Sequence, residues 1–162
     1  MKSTGFILIA AAIALGLGNS AVAQGKPIQL ALVNPIQIFD EQTSIAGLRF
    51  SLLYGKNTSV SGVDLGFVNF TTSGTSQGIE LGFVGLNDEN FIGLRLNAFV
   101  DLNRGNVEGA QFGFYNSGGF VNGVQIGFIN NAESMKGLQI GLINIIRKGG
   151  QFPVFPIVNW SF

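Results

Sequence analysis

The side chains that could do chemistry in this chain are carboxylates and guanidiniums that share one column of a repeated unit. Asp64 and Glu80 hold equivalent positions in neighbouring units, and two facing carboxylates are what general acid–base hydrolysis requires. Arg49 and Arg95 hold the same position on either side of them. The preferred reading is therefore a polar interior whose charges offset one another, not a catalytic pair. The 162 residues include no His and no Cys, which removes Ser-His-Asp and Cys-His nucleophiles, imidazole metal sites and thiolate sites. Asp88-Glu89, Asp101 and Glu108 lie at or near connections where Ca²⁺ could find oxygen ligands, but their spacing matches no calcium loop and they read as solvated turns. Phe67, Phe83, Phe114 and Phe128 form a column that could stack on bases or sugars. Without a basic surround nucleic acid is not expected, and burial in lipid or core is the better reading. No catalytic, cofactor-binding or metal residue is assigned, and an enzyme is not expected.

The elements that must position these groups come from a unit written seven times, starting at Gly47, Gly62, Gly78, Gly93, Gly109, Gly123 and Gly137. A period of 14 to 16 residues holds one strand and a tight connection, and no helix. Counting the Gly as zero, positions one, three and five are apolar in every unit, for example Val124, Ile126 and Phe128. Position two is always polar: Arg49, Asp64, Glu80, Arg95, Gln111, Gln125 and Gln139. Position four is Gly in five units, Ser51 and Asn97 being the others. A strand sends alternate residues to opposite faces, so one face is oily and the other polar and hollowed by small residues. Glycines set within strands of period two open no helix and cradle no phosphate. Asn69, Asn116, Asn130 and Asn144 at position seven mark where the chain is expected to leave the sheet. Gly85 and Val100 replace that Asn, and Asn97-Ala98 replaces Gly-Phe, so the middle of the array is expected to be irregular.

Residues 1–23 combine Lys2, the apolar run Phe6 to Leu17 and Ala21-Val22-Ala23, the three parts of a secretory signal peptide. Residues 24–162 then form a single β-repeat domain. Nine basic and nine acidic residues provide no field for nucleic acid, while a chain that is 11% charged and 46% hydrophobic falls well below a soluble domain's usual quarter of charged residues. Either the core is unusually large or lipid covers part of the surface.

Three all-β architectures can use the unit. The preferred one is an antiparallel meander closed into a small barrel of eight or nine strands, with the apolar face toward a lipid bilayer and the position-two column filling the interior. The alternating apolar residues Val154 to Phe162 and the terminal aromatic suit the final strand of such a barrel. The alternative is a β-solenoid in which each repeat is one coil. Its difficulty is that segments such as "NNAES" and "TTSGTSQ" supply no apolar residues for a second inner wall. The third, an open meander, leaves edges and an oily face uncovered.

The segments "LALVNPIQIFD" (30–40), "GLRFSLLYGKN" (47–57), "GVDLGFVN" (62–69), "GLQIGLIN" (137–144) and "FPVFPIVNWSF" at the close together resemble a family of exported bacterial surface-repeat proteins. The units of that family read Gly-x-Gln-x-Gly, two apolar residues, Asn. The resemblance implies an exported protein at the outer membrane or cell surface and carries over no activity. The expected function is a non-enzymatic envelope protein with a structural or surface-interaction role toward an unknown partner. The alternative is a secreted soluble β-solenoid binding module.

Overall fold

An extended chain with a wholly apolar face and a wholly polar one must bury one of them, and this chain buries the polar one. The computed structural model describes residues 25–162; the leader expected at residues 1–23 lies outside the described residues. β1 (Lys26–Val33), β2 (Ile36–Gln37), β3 (Ile45–Asn57), β4 (Val60–Thr71), β5 (Thr75–Asn87), β6 (Asn90–Asn103), β7 (Val107–Lys148) and β8 (Val154–Ser161) form one sheet in the order β2-β1-β3-β4-β5-β6-β7-β8. From β1 to β7 every neighbour in sequence order except the short β2 pairs in parallel, with Gly47 opposite Gly62, Gly62 opposite Gly78, Gly78 opposite Gly93 and Gly93 opposite Gly109. The long β7 carries the last three units as one extended run. The result is a β-solenoid of about six turns.

This corrects the expected antiparallel barrel in favour of the coil. Parallel neighbours in equal register require each unit to travel once around and return one strand spacing, roughly 4.8 Å, further along. The coil manages this within 14 to 16 residues because its parity breaks. In β4, Val60 and Asp64 point inward, then Phe67 and Val68 both point outward, and Asn69 and Thr71 point inward again. Two successive outward residues make a corner, so the chain doubles back and positions seven to nine face positions minus two to four. The missing apolar wall that argued against a coil is not needed, because the space between the walls is filled largely by amides and ion pairs. Asn at position seven does not leave the sheet; it lines the inside of the corner.

Among the described residues the apolar interior gathers mainly on the side near the connecting turns, where Val107, Val121, Ala132, Met135 and Ile146 cluster. The two ends are closed differently. β1 stacks in parallel on β3 and extends the polar column by Gln29 opposite Arg49, while β2 folds back antiparallel on β1. β8, expected as a barrel strand, instead covers the last coil antiparallel, with Leu138 opposite Trp160 and Ile140 opposite Val158.

The irregular middle has a definite form. An extra residue at Ala98-Phe99 shifts the register between Leu96 and Val100, so Phe99 stands at the corner and Asp101, not Val100, faces both Gly85 and Asn116. Asp101 thereby enters the column that Asn occupies elsewhere.

Candidate functional site: a polar interior behind an apolar corner

The seven position-two side chains all lie inside the coil. Arg49, Arg95, Gln111, Gln125 and Gln139 are fully buried, and Asp64 and Glu80 nearly so. Gln111, Gln125 and Gln139 each donate across the coil to a carbonyl on the opposite wall, of Ser117, Asn131 and Ile145 respectively (3.3, 3.5 and 3.0 Å). They also join coil to coil, Gln139 Nε2 donating to Gln125 Oε1 at 2.7 Å and Gln125 Nε2 to Gln111 Oε1 at 2.8 Å. Asn116, Asn130 and Asn144 form a second ladder at the corner, with Nδ2 to Oδ1 distances of 2.8 Å at both steps. Each rung satisfies a buried amide that would otherwise be costly, and the identical spacing of the repeats lets it recur.

The charged half of the column holds two clusters. Arg49 forms a bidentate pair with Asp64, Nε to Oδ1 at 2.8 Å and Nη2 to Oδ2 at 2.6 Å, and Nη1 donates to the Phe70 carbonyl at 3.0 Å. Arg95 lies between two carboxylates, 3.0 Å from Glu80 Oε1 and 3.0 Å from Asp101 Oδ1. Asn97 Nδ2 adds a hydrogen bond to Glu80 Oε1 at 2.7 Å. Asp64 and Glu80 are register partners, but both carboxylates are committed to guanidiniums and have side-chain exposures of 5% and 3%. They act as ligands for the two arginines. Asp101, read from sequence as part of a solvated connection, is fully buried and belongs to this cluster. The signal that could have found it is the extra residue in its unit, which moves the Asn column by one.

Three buried carboxyls against two guanidiniums leave one negative charge in excess if all ionise. Burial raises Glu80 to about 7, opposed by Arg95 and helped by the nearby Asp64 and Asp101 carboxyls; burial raises Asp101 as well. The two carboxyls face one cation and titrate as a unit. One proton shared between the two carboxyls removes the excess charge. Glu80 Oε1 accepts from Arg95 and Asn97; Asp101, raised by burial and lowered by Arg95 and by hydrogen bonds from Gln111 and Asn97, is paired in register with Asn116, whose Oδ1 has no hydrogen-bond partner among the described residues. In the Asn ladder each coil donates to the next, so a protonated Asp101 would supply the donor that Asn116 needs.

A carboxyl raised in the folded state holds a proton that the unfolded chain has already lost. Its stabilisation is complete below the usual carboxyl value of 4.5 and declines as pH rises toward about 7. We expect stability to fall by about 2–3 kcal/mol between pH 4.5 and 7.5, a drop of roughly 5–10 °C in melting temperature. Asp101→Asn should flatten that slope and raise the melting temperature at pH 8, since it gives Asn116 a donor and leaves Arg95 balanced by Glu80 alone. Thermal melts of the two chains across pH check both; a wild-type profile rising with pH would contradict the shared proton.

Outside, the same units present Leu48, Phe50, Phe67, Phe83, Phe114 and Phe128 at 38–52% exposure. Phe67 stacks on Phe83 at 4.6 Å and Phe114 on Phe128 at 4.9 Å. At the amino-terminal cap this surface runs into an open apolar groove lined by Leu30, Leu32, Ile36, Ile38, Phe50 and Leu52. The acidic residues considered for Ca²⁺ are dispersed: Asp88 pairs with Arg104 at 2.7 Å on the turn edge and Asp101 is inside. Among the described residues, no group of three or more acidic, His or Cys side chains converges on a metal-sized site. No protein-family model, curated protein or solved structure matches this chain.

Proposed function

We propose that this chain is an exported, non-enzymatic binding module, a β-solenoid that presents its apolar outer walls to a partner at the cell envelope. The observation that carries the reading is the inversion of the coil, with ion pairs and amides inside and a continuous run of half-exposed Leu, Ile and Phe outside. Scattered exposed hydrophobes need no explanation, but a continuous surface of this kind marks an interaction site. The buried carboxylates support a structural part for the charged groups, since each is held by arginine away from solvent. Export is supported by the leader-like residues 1–23, and location at the surface by the resemblance of the repeats to exported surface-repeat proteins.

Sedimentation of the chain beginning at Gln24, with and without a nonionic detergent, tests the reading. Walls that require a cover predict association in plain buffer and a single detergent-bound particle once detergent is present. A monomer that stays monodisperse in plain buffer and takes up no detergent would overturn it.

A further inference from the structure

We propose that the partner is a lipid layer, with the phenylalanine corner seated among the acyl chains of one leaflet and the solenoid axis lying in the membrane plane. This deepens, and rests on, the reading of the outer walls as a binding surface. Phe67, Phe83, Phe99, Phe114, Phe128 and Leu142 succeed one another along the corner, each 42–57% exposed. At roughly 4.8 Å per coil they form a straight ridge about 24 Å long.

Area and shape together choose the occupant. With about half of each of the five phenyls' 150–250 Å² open, the phenylalanines alone expose roughly 500 Å², and Leu142 with the flanking walls brings the apolar surface to about 1,000 Å². That exceeds the roughly 300–600 Å² of a typical monomer's largest patch and reaches the roughly 800 Å² per partner of a stable dimer. A second copy could supply the area, but not the shape. The surface is convex, wrapping from Phe50 and Leu81 on one wall, round the corner, to Leu53 and Ile143 on the other. A two-fold contact can cover one wall and leaves the other bare, whereas acyl chains enclose both sides of a wedge at once.

Charge divides along the same line. Positions one, three, five and six carry no charged residue in any of the seven units. On the opposite, turn-bearing edge Arg104 pairs with Asp88 at 2.7 Å and Lys148 with Glu133 at 2.8 Å. Setting the axis across a bilayer would drag this edge through hydrocarbon, so the geometry is that of an element lying in the interface. Backbone pairing from coil to coil resumes on both sides of the corner, Gly66 with Gly82 and Val68 with Val84, Gly82 with Asn97 and Val84 with Val100, so only the corner residues themselves would meet the leaflet without a sheet partner.

Flotation of the chain beginning at Gln24, whose described residues form one continuous sheet, with vesicles of phosphatidylcholine alone tests this. We expect the wild type to float and Phe114→Ser/Phe128→Ser to bind about 100-fold more weakly or less, with its far-ultraviolet circular dichroism unchanged. Lys136→Ser, on the polar edge, should float like the wild type. Flotation of the corner variant at wild-type level would overturn the proposal. A wild type that stays unbound but forms dimers that the corner variant dissociates would overturn the lipid assignment and leave the binding walls with a second copy as occupant. An unbound wild type that remains monomeric would overturn both.

Discussion

Gly123→Ala is expected to destabilise the chain by about 3–5 kcal/mol, enough to lower its melting temperature by roughly 10 °C or more. Two independent effects combine there. The backbone has φ of +144°, where an L side chain is strained, and an added Cβ would press on the carbonyl oxygen of Gly109 in the preceding coil. That atom is backbone held in the sheet, so it has little freedom to move aside. The same φ range, 118–151°, recurs at Gly47, Gly62, Gly78, Gly93, Gly109 and Gly137, which is why every unit opens on glycine. Gly149→Ala offers a milder reference, since Gly149 has φ +73°, within reach of L residues, and nothing lies within 4 Å of the added atom; a loss of only about 1 kcal/mol is expected there. Equal losses at both sites would mean that neither the glycine-only backbone nor the coil-to-coil contact at Gly123 matters.

Arg95→Ala is the second large effect, expected at about 3–5 kcal/mol because it strands Glu80 and Asp101 in the interior without a cation. Its guanidinium also lies 5.0 Å from the centre of the Phe91 ring, so packing is lost with the charge. The loss should be larger at pH 8 than at pH 5, since two buried carboxyls must then hold protons that the solvent withdraws. Removing the charges together, as Arg95→Met with Glu80→Gln and Asp101→Asn, should recover most of the stability. Denaturant titration at the two pH values measures both, and a triple variant no better than Arg95→Ala would show that packing, not charge, dominates.

The division of each unit into an oily and a polar face was legible in the sequence, because alternation is a local property of an extended chain. So was the adjacency of Arg49 with Asp64 and of Glu80 with Arg95, which equal repeats enforce between parallel neighbours and which antiparallel neighbours also allow when the turn lies midway between the two residues. Strand direction was not legible, because both arrangements permit those pairs. What hid the coil was the premise that an interior must be apolar. Once Gln111, Gln125 and Gln139 are seen to satisfy the opposite wall's carbonyls, segments such as "NNAES" no longer need to supply inner hydrophobes. One sign of the corner was present: Asn130 has the same parity as Ile126 and Phe128, so a straight strand would set a polar amide on the oily face. The break after Phe128 resolves the conflict. Asp101 escaped notice because a single extra residue moved it out of the expected column, and burial of an acid opposite an amide ladder is visible only in three dimensions.

The absence of cysteine makes the stacked coil directly measurable. Paired spin labels on outward position-one residues, Leu138 with Val124, then with Leu94, then with Val63, sample one, three and five coil intervals. Stacking predicts distances that rise in proportion, by roughly 5, 14 and 24 Å between backbones, at about 4.8 Å per interval. Distances that rise and then fall again, as strands closing into a ring would give, would contradict the parallel solenoid and everything argued from it.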